Sequence, residues 1–375
     1  MKKKLYLTRT AKLSCFFLAI ILTVGFLQDF YLRNLDQNTI HLDGYYYEKE
    51  DSLDVVLLGA SEVYTGFSSG MAYDKYGFTS YPYATESITA DGMMLALKEI
   101  VRTQKPQMIL IEINSYLYGN FEKNQDNVNV RKLVDNIPLG KNKINFISKF
   151  IPADMQIEYY MPIIKYHSLW SNLPEQARRM VSKLQMTFHH NSVLKGYHTV
   201  TGGLEKDFAF VEPSDKKTAL NPGFEEKLRE LLTYCKENDL NVAFMRTPHY
   251  IISDTFTRSK RTNAAAEIIE SYGYDFINLE KDYKAVGIEP STDFYDIDHL
   301  NIYGTDKLTD YLCTLLQNKY GVKGKPLSGK VKERWEEAAT GFNQLRRYCL
   351  DLMEVQHKRM SIEEDTATLA MIKKY

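Results

Sequence analysis

The chain has 375 residues, an ordinary apolar content and a formal net charge of −1, long enough for one large domain with appendages or for two domains. Basic and acidic residues are nearly balanced, 47 against 48, so the basic excess that marks a nucleic-acid-binding protein is missing. The four cysteines, Cys15, Cys235, Cys313 and Cys349, are far apart and show no metal-type spacing, which argues against a structural zinc site and against a full disulfide framework.

The N-terminus reads differently from the rest. Lys2, Lys3, Lys4, Arg9 and Lys12 precede an apolar run from Leu13 to Leu27. The run is short for a spanning helix, which needs about 17 to 25 residues, but Ala11 and the cluster Phe30, Tyr31, Leu32 extend it. No small-x-small cleavage site follows. The expectation for residues 1–32 is a single-pass signal anchor, with the N-terminus cytoplasmic by the positive-inside rule. A cleaved secretory signal is the alternative, and either reading puts the body outside the cytoplasm. Residues 33–50 read as a polar, tyrosine-containing connector.

From Asp54 the pattern alternates. Val55, Val56, Leu57 and Leu58 form a continuous apolar run, as in strands buried on both faces, ended by Gly59-Ala60-Ser61. Ser68 and Ser69 can start a short helix. A weaker strand is predicted over 78–83, a helix over 90–104 capped by Ser87 or Thr89, and a strand over 108–113. Residues 120–200 break the rhythm and read as an insertion packed above the sheet, with a basic helix candidate near 175–183. Asn221 and Pro222 then open a helix that runs to about residue 237. A strand over 241–246, a helix over 263–271, a short strand over 275–279 and a helix over 304–319 complete a domain spanning 51–322. Residues 323–375 form an extension with a Gly/Lys/Pro linker and a charged helical pattern in which Trp335, Phe342, Leu345, Leu350 and Met353 recur. It suits a helix docked on the domain or a separate interaction element. Strand–helix alternation with buried strands predicts an α/β layer fold around a parallel sheet.

Such a sheet binds ligands outside the carboxyl ends of its strands. Ser61, Asn114 and Thr247 each follow a predicted strand at that end, and the loop Asp296-Ile297-Asp298-His299 reaches the same rim ahead of the last helix. A serine hydroxyl needs an adjacent base, and the base needs a third group to fix its tautomer. The expected roles are Ser61 as nucleophile, His299 as general base and then acid, and Asp296 as the orienting carboxylate. The plain alternative makes Asp296 a turn cap and His299 a helix-start residue. Asp298 is a rival carboxylate, but neighbouring side chains usually point apart. Glu62 suits the acidic first turn of a helix. Arg246 and His249 are candidates for substrate contact, with surface residues at a strand end as the ordinary alternative; His167 and Trp170 are further candidates, with core packing as theirs. His189-His190 lacks a partner at metal-ligand spacing, so neither a metal nor a cofactor is expected.

With these residues in place, the region from about 52 to 322 resembles the SGNH (GDSL-type) hydrolase family, in its membrane-anchored acyltransferase-like branch, similar to lipoteichoic acid D-alanine transfer and alginate O-acetylation proteins. Gly59-Ala60-Ser61 matches the serine block and Asp296-Ile297-Asp298-His299 the last block. Ala60 replaces the aspartate of the serine block, and Ala84-Thr85-Glu86-Ser87 stands where the second block has a glycine. The resemblance implies a three-layer, flavodoxin-like parallel sheet. It also implies an oxyanion hole from the Ser61 N–H, a main-chain donor at Thr85 and the Asn114 amide. The implied activity is that of a serine esterase or O-acyltransferase on a cell-envelope polysaccharide or teichoic-acid-like polymer, working beside a membrane-bound O-acyltransferase. The second reading is a catalytically inactive glycan-binding or assembly subunit of the same machinery.

Overall fold

The structure is a computed structural model, and it describes residues 2–31, 37–121, 128–171, 174, 177, 194–204 and 208–356. Five strands form one parallel sheet in the order β2-β1-β3-β4-β5. They are β1 (Val55–Gly59), β2 (Ser80–Ala84), β3 (Met108–Glu112), β4 (Val242–Arg246) and β5 (Phe276–Asn278). Each of the five lies within about two residues of its predicted range. The first four are buried along their whole length, which is why β1, β3 and β4 read as unbroken apolar runs rather than alternating ones.

Helices cover both faces. Ahead of the sheet lie α1 (Lys2–Tyr31) and α2 (Gln37–Tyr46). The pair α3 (Ser61–Gly66) and α4 (Ser69–Tyr76) joins β1 to β2, and α5 (Ala90–Thr103) joins β2 to β3. The insertion carries α6 (Val128–Val134), α7 (Lys141–Phe150), α8 (Gln156–Tyr160) and α9 (Pro162–Lys165). Then follow α10 (Pro222–Glu237), α11 (Phe256–Ser271), α12 (Tyr283–Val286), α13 (Ile302–Asn318) and α14 (Gly329–Asp351).

The pleat sorts the core into two layers. Val56, Leu58, Ile109, Ile111 and Phe244 pack against α5, α10 and α11, through residues such as Leu97, Leu231 and Ile269. Val55, Leu57, Leu110, Ala243 and Met245 pack on the other side against α3, α4 and α13, through Val63, Phe67, Leu308 and Leu312. Successive residues of a strand point to opposite faces, so one strand feeds both cores. The chain passes from β1 outward to β2 and returns to β3 on the other flank of β1. The ends of β1 and β3 therefore border the point where the strand order reverses, the usual ligand crevice of an open α/β sheet.

Two expectations are corrected, and one open alternative is resolved. The stretch read as a connector contains α2, whose Leu42 and Tyr45 are buried; they are three apart and share a face that packs on β2. The helix predicted over 263–271 starts at Phe256, because its first two turns, Thr257 to Thr262, are polar and give no apolar stripe. The C-terminal pattern is a docked helix: α14 buries Trp335, Phe342 and Leu345, with the Lys195 ammonium 4.8 Å from the centre of the Trp335 ring. The basic helix candidate near 175–183 lies outside the described residues.

α1 is one unbroken helix across the predicted anchor. Of its side chains, those of residues 9–25 are described. Leu13, Phe16, Phe17, Leu18, Ile21 and Leu22 are each more than half exposed. Among the described residues no helix is long and apolar enough to cross a membrane; the predicted apolar run continues beyond those side chains.

Candidate active site

Ser61 is the first residue of α3, two residues past the end of β1. The turn demands a glycine before it: a Cβ on Gly59 would lie 2.4 Å from Val63 Cγ2 and 2.9 Å from Glu112 Cβ. The bare backbone lets α3 start immediately and lets β1 meet β3, so the serine projects from the sheet's rim.

His299 comes from a tight loop pinned at both ends. Phe294 and Leu300, both buried, form an antiparallel bridge, and the Tyr295 N–H donates to the His299 carbonyl at 2.9 Å. Within the loop the Asp296 carboxylate accepts from the Asp298 and His299 N–H groups at 2.8 and 2.9 Å, the way an aspartate closes a turn on the backbone ahead of it. Asn301 then caps α13 by accepting from the Tyr303 N–H at 3.0 Å, and donates to the carbonyls of Gly202 and Thr292. One hydrogen bond ties this helix to the serine's helix, Thr305 Oγ1 donating to the Thr65 carbonyl at 2.7 Å, and a second ties it to the cap of α4, the Ser68 N–H donating to Thr309 Oγ1 at 3.0 Å.

The result is a continuous chain of hydrogen bonds. His299 Nε2 lies 2.7 Å from Ser61 Oγ, and His299 Nδ1 lies 2.8 and 2.9 Å from the two Asp296 oxygens. An ionised carboxylate only accepts, so Nδ1 carries the proton and Nε2 presents its lone pair to the serine. Burial of the ring works against its charged form, but the hydrogen bond and charge of Asp296, with Glu62 and Asp298 behind it, outweigh that and raise the His299 pKa above 6.5. Burial likewise pushes the Asp296 pKa up, yet the His299 contact and the two main-chain N–H groups together hold it below 3.8. Asp298 turns away and pairs with Arg258.

Asn114 follows β3 and is buried on the same rim. Its N–H donates to Glu112 Oε2 at 2.6 Å and its Oδ1 accepts from Arg246 Nη1 at 2.7 Å. Thr85 follows β2 and is fully buried, its hydroxyl without a hydrogen-bond partner among the described residues.

The weaker substrate candidates fare differently. Arg246 is fully buried, bonded to Glu112 at 3.3 Å and to Glu280 at 3.0 Å; it supports the floor of the site and does not face solvent. His249 is also buried, with Nδ1 2.8 Å from the Thr247 carbonyl. Burial first, then the charges of Arg246 and Arg258, hold its pKa well below 6.5, so it is a neutral ring. Both were read as surface residues because they end a strand; the sheet's rim is itself covered here. His167 is exposed, and its Nδ1 lies 2.8 Å from the Ile164 carbonyl of its own turn; among the described residues no hydrogen bond links it to Ser61 or His299. The side chain of Trp170 lies outside the described residues.

The sequence reading did not single out Glu112, Glu280 or Arg258. Glu112 carried a usable signal: a carboxylate closing the run Met108-Ile109-Leu110-Ile111 must be paired if that strand is buried. Glu62 lies in the first turn of α3, as expected of it, but it is buried there. It is 4 % exposed, and burial, then the charge and hydrogen bond of Glu112, push its pKa well above 4.5. Among the described residues no group of three or more His, Cys, Asp or Glu side chains is placed to hold a metal ion.

No family model matches this chain, and no curated protein matches it. Among solved structures, a candidate acylhydrolase from Bacteroides fragilis aligns over 76 % of this chain and 100 % of its own, at 9 % identity and a TM-score of 0.37. An acetyl xylan esterase from the rumen bacterium Butyrivibrio proteoclasticus aligns over 72 % of this chain and 65 % of its own, at 10 % identity and a TM-score of 0.29. Likeness at that level is silent on the chemistry of this chain.

Proposed function

We propose that Ser61, His299 and Asp296 are the nucleophile, general base and orienting carboxylate of a serine esterase or O-acyltransferase. The observation that carries this reading is the unbroken hydrogen-bonded chain from Ser61 Oγ through both imidazole nitrogens to the Asp296 carboxylate. In the acylation step Ser61 Oγ attacks the ester carbonyl while Nε2 takes its proton. The tetrahedral oxyanion collapses, and the imidazolium returns the proton to the departing alcohol. Water or a sugar hydroxyl, deprotonated by the same nitrogen, then releases the acyl group. The Ser61 N–H, at the start of a helix and lacking an intrahelical acceptor, suits the oxyanion. The Asn114 amide and a main-chain donor at Thr85 complete the set.

The substrate in this proposal is an O-acyl group on a cell-envelope polysaccharide or teichoic-acid-like polymer. A membrane-bound O-acyltransferase supplies acyl groups if the reaction runs as a transfer. Support comes from the resemblance of the serine and histidine blocks to anchored acyl-transfer proteins. In the same reading α1 is the membrane anchor and the α/β domain faces outward. The exposed apolar side chains of Leu13, Phe16, Phe17, Ile21 and Leu22 on α1 suit an apolar surrounding better than water. No nucleic-acid partner enters this proposal.

The test is covalent labelling of the full chain in detergent by a fluorophosphonate, with turnover of a small acetyl ester measured alongside. Labelling and turnover are expected in the wild type and are expected to vanish in Ser61→Ala. Turnover that survives in Ser61→Ala excludes the triad.

A further inference from the structure

We infer that Arg246 is a positioning residue that fixes the Asn114 amide for oxyanion binding. The inference rests on the triad reading above and assigns a role to a buried network beneath it. Arg246 ends β4, where the β3–β4 register sets Met245 against Glu112. Its guanidinium thus falls level with the turn after β3. Nη1 donates to Asn114 Oδ1 at 2.7 Å and to Glu112 Oε1 at 3.3 Å, and Nε donates to Glu280 Oε2 at 3.0 Å. Glu112 in turn accepts the Asn114 main-chain N–H through Oε2 at 2.6 Å. Asn114 is therefore gripped twice, at its backbone by Glu112 and at its side chain by Arg246.

A primary amide has two orientations that differ by a half-turn, and nothing in asparagine itself chooses between them. A guanidinium only donates, so it accepts only the Oδ1 face. That leaves both Nδ2 hydrogens directed away from Arg246. Among the described residues Nδ2 meets only a long 3.5 Å contact with the Tyr118 hydroxyl, which leaves donor capacity for another acceptor. The ends of β3 and β1 meet closely here, as the tight approach of Gly59 to Glu112 shows. The amide thus lies on the rim that carries Ser61. Lysine cannot replace this arrangement: a point-charge ammonium does not hold a planar fork toward an amide oxygen and a carboxylate together.

A purely structural role for Arg246 predicts a different result, and a double-mutant cycle separates the two. Purified full-length chains carrying Arg246→Lys, Asn114→Ala and both are compared for kcat and KM on 4-nitrophenyl acetate, and for the rate of fluorophosphonate labelling. Asn114→Ala is expected to lower kcat by about 10²-fold or more, as loss of one oxyanion donor does. Arg246→Lys is expected to lower kcat by roughly 10- to 100-fold at nearly unchanged KM. In the Asn114→Ala background it is expected to cost less than about threefold, because its target is gone. Full multiplication of the two losses overturns the inference, as does an Arg246→Lys that shifts only the melting temperature. If Arg246→Lys does not fold by circular dichroism, Glu112→Gln takes its place in the same cycle. It keeps the volume but sets an amide NH₂ against one of the two donors that the carboxylate now satisfies. Ser61→Ala separates the levels. Activity that persists there, or a wild type that neither turns over nor labels, sinks the triad reading itself. Activity lost there alongside an additive cycle sinks only the role of Arg246.

Discussion

His299 Nε2 and Ser61 Oγ lie 2.7 Å apart although 238 positions separate them, and the contact is held by α13, which follows the histidine's loop and is tied through Thr305 to Thr65 of the serine's helix and through Thr309 to Ser68 just beyond it. Its pH behaviour follows from charge. A general base must be neutral, and the negative groups around His299 favour the imidazolium and raise its pKa above 6.5. Ester turnover is therefore expected to rise with pH along a limb centred above 6.5. Asp298→Asn removes one of those charges and should move the limb toward acid with little change in the plateau. Asp296→Asn should move it the same way and also drop the plateau by about 10³- to 10⁴-fold, since the tautomer is no longer fixed. Profiles of kcat/KM against pH for the three proteins check this; a limb that stays put in both variants, or moves toward alkali, contradicts it.

Glu62 titrates in the opposite sense for stability. Its folded pKa is raised well above 4.5 by burial and by Glu112. Below about pH 4.5 both folded and unfolded chains hold the proton, and the group costs nothing. As pH rises past that value the unfolded chain ionises while the folded one keeps its proton, and stability falls until the folded pKa is reached. Glu62→Gln keeps a donor toward Glu112 and removes the titration. It is expected to raise the melting temperature at pH 8 and to leave it unchanged near pH 4. Thermal melts at the two pH values decide the matter, and an equal shift at both would show that the Glu62 pKa is not raised by its burial.

Much of this architecture is legible from residue patterns, and the limits are physical. Strands buried on both faces announce themselves as unbroken apolar runs, so β1, β3 and β4 could be read directly. The Asp296–His299 spacing was readable because a carboxylate three residues before a histidine closes its turn and reaches Nδ1 together. The site's floor was not readable. Arg246 and His249 look like rim residues until the tertiary fold supplies Glu280 and Arg258 from elsewhere in the chain. α2 was missed for a similar reason: Leu42 and Tyr45 give one turn of amphipathic signal, too little to stand out from a polar stretch, and only β2 gives that face something to cover.

Gly59 sets how closely the nucleophile's strand approaches its neighbour. A methyl group there would sit 2.4 Å from Val63 Cγ2 and 2.9 Å from Glu112 Cβ. Neither atom yields cheaply: Val63 is β-branched within a helix, with restricted rotamers, and Glu112 Cβ moves only with the backbone of β3. Gly59→Ala is expected to cost about 1–3 kcal/mol in urea unfolding, the usual range for overpacking. It should also lower kcat by roughly 10- to 100-fold, because a displacement on the order of 1 Å between nucleophile and base is enough for that. Val63→Ala removes the nearer clash and leaves the Glu112 contact in place. The double variant should therefore recover part of the stability lost by Gly59→Ala, so that the two single costs fail to add. Costs that add in full would place the strain at β3 rather than at α3. A Gly59→Ala protein with wild-type kcat would show that the serine's position does not depend on this approach.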